Sequence, residues 1–126
     1  MSINYRELLE KVRDLKINKS DMPPFKYEDE NDLIDEPVVV ERQHLIALLK
    51  RFQQERITQE DLFDWIHFVW FTDFYTCFDE DADCIAGVIQ LLEELEEEGE
   101  VLPEDVAQCL YALEHNQEPQ RLIYHS

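Results

Sequence analysis

Three carboxylates at alternate positions, Asp79-x-Asp81-x-Asp83, are the most chemically suggestive motif in the chain. Such spacing opens a calcium-binding EF-hand loop, because alternate side chains can wrap one cation in oxygen ligands. That loop also requires glycine at its sixth position and a bidentate glutamate at its twelfth. Cys84 and Gln90 stand there, and the hydrophobic residue, Ile85, falls one place early. The three aspartates are therefore read as helix N-terminal carboxylates, which complement the positive end of a helix dipole, and as part of an anionic docking site. A zinc site drawn from Cys77, Cys84, Cys109 and His115 lacks the closely spaced pair that tetrahedral ligation uses. Nucleophilic chemistry at a cysteine would need a histidine such as His67 within reach. A negative surrounding field raises a thiol pKa and opposes the thiolate. The cysteines are thus read as core residues, Cys109 at the edge of a packed face, and His67 as a core or semi-exposed residue. His44 and His125 have no patterned partner. There is no Gly-rich phosphate loop and no Gly-x-Ser-x-Gly turn, and no carboxylate pair stands out as an acid/base couple. The expectation is a chain with no catalytic residue, no metal and no cofactor.

The charge balance points to binding instead. The chain has 126 residues, with 30 Asp and Glu against 11 Lys and Arg, for a formal charge of −19. Its length fits one domain, and an apolar share of 44% is enough for a real core. Domains that bind DNA or RNA directly need cationic surface to neutralise phosphates, which excludes that class. Docking on an anionic membrane is disfavoured for the same reason. The charge is also uneven. Residues 1 to 56 hold 12 acids and 10 bases, whereas residues 57 to 120 hold 18 acids and no Lys or Arg. An ordinary solvated surface mixes both signs. A one-signed field costs stability through self-repulsion and speeds association with a cationic partner. Met1-Ser2-Ile3-Asn4-Tyr5 does not read as a signal peptide, and no run approaches the roughly 20 apolar residues that span a bilayer. Three cysteines without an export signal argue against a disulfide framework. A cytoplasmic protein is expected.

The elements that must position these groups read as helices, in keeping with only two glycines. Residues 3 to 17 form an amphipathic pattern with Leu8, Leu9, Val12 and Leu15 on one face. Pro23-Pro24 breaks it, and residues 19 to 36 read as an acidic loop, functional or partly disordered given its length. Pro37 suits the first turn of a second helix reaching about Glu55, with Leu45, Ile46, Leu48, Leu49 and Phe52 as its stripe. Val38-Val39-Val40 would also suit an extended segment, but the uninterrupted pattern after it favours helix. Thr58 and Asp61 resemble a capping arrangement that starts a third helix. Leu62 to Phe71 is apolar nearly all round and eight of the 14 aromatic residues lie between Phe63 and Phe78, so this is read as a central helix buried on most sides. The fourth helix follows Asp79 to Asp83, with Ile85, Val88, Ile89, Leu92 and Leu95 inward, Gln90, Glu94, Glu97 and Glu98 outward, and Gly99 as its stop. Pro103 opens a fifth, with Val106, Ala107, Leu110 and Leu113 buried. Asn116 and Pro119 end it, and residues 117 to 126 form a tail. The expected fold is all-α: residues 1 to 126 as a single acidic domain, a bundle of about five helices around the aromatic one.

The candidate partner-binding residues are Asp79, Glu80, Asp81, Asp83, Glu94, Glu97 and Glu98, with Trp70 or Tyr75 as an apolar anchor. The helix start Thr58-Gln59-Glu60-Asp61-Leu62-Phe63-Asp64-Trp65, together with the length, helical class and acid excess, resembles the bacterial immunity proteins. These are small acidic antidotes to secreted or contact-delivered toxins. That resemblance implies a non-enzymatic inhibitor bound one-to-one to a toxin domain, often a basic nuclease, with its active site occluded. The same surface would suit two other classes: a mimic of nucleic acid acting on a DNA-binding host enzyme, and a secretion chaperone or adaptor with an exposed apolar groove. A metal or hydrolytic enzyme built on the buried helix is a weaker fourth class.

Overall fold

The computed structural model describes residues 5–17, 21 and 36–119. The expected acidic loop falls outside them apart from residues 21 and 36, and the expected tail apart from residues 117–119. The chain is mainly helical. Helix α1 (Tyr5–Arg13) is followed by strand β1 (Val38–Val40), α2 (Arg42–Gln53), α3 (Gln59–Phe71) and strand β2 (Tyr75–Cys77). A single 3-10 turn (Asp79–Asp81) then leads into α4 (Ala82–Glu98) and α5 (Pro103–His115). No helix among the described residues is long and apolar enough to cross a membrane.

Local chemistry sets most helix ends. At α3 the Thr58 hydroxyl accepts from the Asp61 amide at 3.1 Å, and the Asp61 carboxylate accepts from the Thr58 amide at 3.0 Å. Each satisfies an amide that the first helical turn leaves without a partner. Helix α4 stops at Gly99, whose φ of 95° is in the left-handed region where glycine carries no Cβ penalty. Pro103 occupies the first turn of α5, and Asn116 ends that helix in the left-handed region.

The all-α expectation needs correction at Val38–Val40. These residues are a strand, not the opening of α2, and they pair in parallel with Tyr75–Cys77, Val38 opposite Tyr75 and Val40 opposite Cys77. The Val38 amide donates to the Phe74 carbonyl at 2.7 Å, and the Phe78 amide to the Val40 carbonyl at 2.9 Å. Val38 and Val40 are buried while Val39 is exposed, the alternation of a half-buried strand. β-branched side chains fit such a surface better than a helix. Parallel strands need a long crossover, and α2 with α3 supplies it. Helix α2 therefore starts at Arg42. The Nδ1 atom of His44 accepts from the Glu41 amide at 2.8 Å, so His44 caps the helix.

The larger core cluster lies between α2, α3, α4 and α5, and α2 against α5 is the most extensively packed helix pair. All five expected inward residues of α4 are buried. On α5, Val106, Leu110 and Leu113 are buried as expected, but Ala107 is exposed; Cys109 and Ala112 fill the stripe instead. Cys109 is fully enclosed rather than at an edge. A second, smaller cluster joins Leu9 and Val12 of α1 to Val38, Phe68 and Phe74. Full burial of each such side chain contributes about 1.5–3 kcal/mol. Three side chains from the body also satisfy carbonyls at the end of α1. The Trp65 indole donates to Val12 at 3.1 Å, the Tyr75 hydroxyl to Leu9 at 2.7 Å, and Arg51 to Leu15 at 3.0 Å.

Candidate acidic docking face

The 3-10 turn and α4 carry most of the expected contact residues. Asp79, Glu80, Asp83, Glu94, Glu97 and Glu98 are exposed. Along α4, Asp83, Gly87, Gln90, Glu94 and the pair Glu97–Glu98 follow one another at spacings of three or four residues, so they share one outward stripe. A groove of about 300 Å³ runs along that stripe, floored by Ala86, Gly87 and Leu91 and edged by Asp83, Glu94 and Glu118. Pro119 forms its far wall as the chain returns after α5. Glycine at 87 lets that return pass closely, since a Cβ there would come within 3.1 Å of the Pro119 ring. The Asn116 side chain donates to the Glu80 carbonyl at 3.1 Å and ties the end of α5 to the acidic turn.

Asp81 does not belong to this face. It is 6% exposed and turned inward. Its Oδ1 atom lies 2.8 Å from Nε of Arg42, and Oδ2 accepts from the Arg42 amide at 3.1 Å. The same guanidinium donates to the Leu113 carbonyl at 2.7 Å. One ion pair thus joins the acidic turn, the start of α2 and the end of α5. The alternating aspartates do not converge: Asp79 and Asp83 remain outside while Asp81 points in. Among the described residues, no group of three or more His, Cys, Asp or Glu side chains gathers as a metal site would.

Tyr75 is likewise withdrawn as an anchor. It is half-buried, its hydroxyl is engaged with Leu9, and its ring meets Phe68 edge-on at 5.9 Å. Burial raises its ionisation well above the usual phenol range. Trp70 is half-buried and lines an apolar pocket with Tyr75, Cys77 and Ile89. Among the described residues, the fully exposed aromatics are Phe71, Phe78 and Tyr111. Phe78 was findable from strand parity: Tyr75 and Cys77 turn inward, so Thr76 and Phe78 must turn outward. That parity is invisible until β2 is recognised.

His67 sits 2.8 Å from Glu96 and is flanked by the rings of Phe63 and Phe71. The Cys84 thiol donates to the Gln117 carbonyl at 3.1 Å. Burial raises the pKa of Cys77, Cys84 and Cys109, the last to about 12. The Cys109 thiol stays protonated in the folded chain while an unfolded one ionises near its ordinary value of 9. The folded state therefore binds more protons between pH 9 and about 12, and this contribution is intact below 9 and lost as pH rises through that window. Urea midpoints should fall above pH 9, and a Cys109→Ala variant should show a flatter alkaline limb.

The described bases lie on α1, α2 and the segments that leave them. Lys11, Arg13 and Lys16 belong to α1 and its exit, and Lys50, Arg51 and Arg56 to the end of α2 and the turn after it. A cleft of about 380 Å³ beside them carries Arg51 and Arg56 together with Asp61 and Asp64, so it is mixed in charge. Among the described residues, those from α3 onward include no Lys or Arg. Compared with protein-family models, with curated proteins and with solved structures, the chain finds no match.

Proposed function

We propose that this chain is a non-enzymatic inhibitor of the immunity-protein type, which acts in the cytoplasm and blocks a cationic toxin domain, with a nuclease as the leading target. In this reading the aromatic α3 is the packing centre that offsets the repulsion of the acidic surface. The observation that carries the proposal is the outward acidic stripe of α4, grooved and continuous with Asp79 and Glu80, in a stretch of 64 residues without a base. A nuclease needs a positive cleft for its substrate. A rigid helical face of opposite sign can occupy that cleft without any chemistry of its own. Electrostatic steering of this kind raises association rates to about 10⁸–10⁹ M⁻¹s⁻¹ at low salt.

The test is capture from the native host with the tagged chain, followed by stopped-flow association at increasing salt. A basic protein should be recovered in a one-to-one complex, with an on-rate that falls steeply as salt rises. The combined variant Asp83→Asn, Glu94→Gln, Glu97→Gln should slow association at least about tenfold at low salt and leave the melting temperature unchanged. Recovery of no basic partner, or an on-rate indifferent to salt, would sink the proposal. Recovery of a DNA-binding host enzyme instead would favour nucleic-acid mimicry.

A further inference from the structure

We propose that the open edge of β2 receives an extended strand of the partner, with one apolar side chain in the pocket at Trp70 and basic residues at its ends; the proposal rests on the cationic-partner reading above. The sheet has two strands, so each has one edge without a neighbouring strand. The two edges differ. On β1 the Val39 carbonyl accepts from the Arg13 guanidinium at 2.8 Å, and α1 packs against the strand. On β2 the pairing fixes which way the backbone groups point. The Phe74 carbonyl and the Phe78 amide both bond to β1. Successive residues of a strand turn their N–H and C=O to opposite sides, so Thr76 also faces β1 while Tyr75 and Cys77 face away. Among the described residues, none of the four backbone groups of Tyr75 and Cys77 has a hydrogen-bond partner. An open edge is commonly blunted by a charged side chain or a proline, and Tyr75-Thr76-Cys77 carries neither.

So short an edge holds a strand weakly by itself, and two further features add to it. A strand laid beside β2 turns alternate side chains to the face that Tyr75 and Cys77 share. That face carries the apolar pocket of about 250 Å³, walled by Val69 and Trp70 of α3 and Ile85 and Ile89 of α4. Sites for drug-sized ligands are typically roughly 300–1,000 Å³, so this volume suits one side chain. No charged residue lines it, which selects an apolar side chain such as leucine. The second feature is charge. Exposed Asp73 precedes β2, and exposed Asp79 and Glu80 follow it, in a stretch without Lys or Arg. Carboxylates at both ends of the edge favour basic residues at both ends of the incoming strand, and they oppose a second copy of this acidic chain. Backbone bonds then align the strand, and the pocket sets its register.

The test uses the full chain with the peptide acetyl-Lys-Lys-Thr-Leu-Thr-Lys-Lys-amide, followed by ¹H–¹⁵N spectra and amide exchange. In the free chain the Tyr75 and Cys77 amides should exchange at least about tenfold faster than that of Thr76. The peptide should shift the Trp70 indole and slow exchange at Tyr75 and Cys77 by at least about tenfold. N-methylation of its Thr-Leu-Thr amides should weaken binding at least about tenfold by removing the edge bonds, and this change in the probe leaves the fold untouched. Glycine in place of leucine should weaken binding about tenfold, and glutamate in place of all four lysines should abolish it. Free-chain protection of Tyr75 and Cys77 equal to that of Thr76 would overturn the strand site, as would an N-methylated or glutamate peptide that binds unchanged. A lysine peptide that binds with steep salt dependence but leaves β2 unmoved would overturn the strand site and leave the partner reading standing. No binding of the lysine peptide at low salt would overturn the strand site, and the partner reading would fall with it only if host capture also returned no basic protein.

Discussion

Replacing Arg42 with alanine should lower the unfolding free energy by about 2–3 kcal/mol, because it leaves the Asp81 carboxylate and the Leu113 carbonyl without their charged donor in a partly buried place. The loss has two sources. Asp81, at 6% exposure, would lose its charged donor in a place where water cannot solvate it well. The Leu113 carbonyl would also lose its charged donor. A domain stability of about 5–15 kcal/mol makes this a large fraction of the whole. Urea denaturation followed by tryptophan fluorescence would measure it, as a lower midpoint with an unchanged slope. Arg42→Lys should recover part of the loss, because an ammonium supplies charge but cannot span the Asp81 carboxylate and the Leu113 carbonyl with one planar fork. Asp81→Asn should also destabilise clearly, whereas Asp79→Asn and Asp83→Asn should stay within about 0.5 kcal/mol of the parent. Equal, small effects at all three aspartates would mean that Asp81 is a surface residue after all.

Phe74→Ala should cost about 3–5 kcal/mol, the range for truncating a buried aromatic and leaving a cavity. Phe74 is 0% exposed and anchors the smaller cluster, with its ring centroid 6.1 Å from that of Phe68. Its backbone carbonyl also holds Val38 at 2.7 Å, so the cavity would open beside the strand pair. Helix α1 packs on this cluster through Leu9 and Val12, and its amides should lose hydrogen-exchange protection first. The control is three residues away. Phe71 is 65% exposed, and Phe71→Ala should change stability by no more than about 0.5 kcal/mol. If Phe71 is part of the partner contact, that variant will weaken the complex while leaving the fold intact, the reverse of Phe74→Ala.

The sequence carried the helices well because their signals are local. Thr58 with Asp61, Gly99, Pro103 and Asn116 each act on backbone groups within a turn of themselves. The stripe Ile85, Val88, Ile89, Leu92 and Leu95 is a period that α4 can satisfy in only one orientation. The site was legible in the same measure. Outward positions of α4 follow from the inward ones, so Glu94, Glu97 and Glu98 were placed correctly as exposed residues.

The misreadings share one cause, which is distance along the chain. Val38–Val40 is ambiguous by itself, and what makes it a strand is Tyr75–Cys77, 37 positions later in register. Tyr75 looked like an anchor because tyrosines often are, but the carbonyl of Leu9 takes its hydroxyl from 66 positions away. Asp81 is indistinguishable by type from Asp79 and Asp83, and the guanidinium that draws it inward comes from 39 positions away. By itself, then, the sequence determined the helices from Thr58 onward with their start and stop signals, and that residues 57 to 120 carry one sign of charge. Only the tertiary structure decided which carboxylates and rings remain at the surface. A group stays exposed or turns inward according to whether a partner of matching chemistry is folded beside it, and no local pattern records that partner.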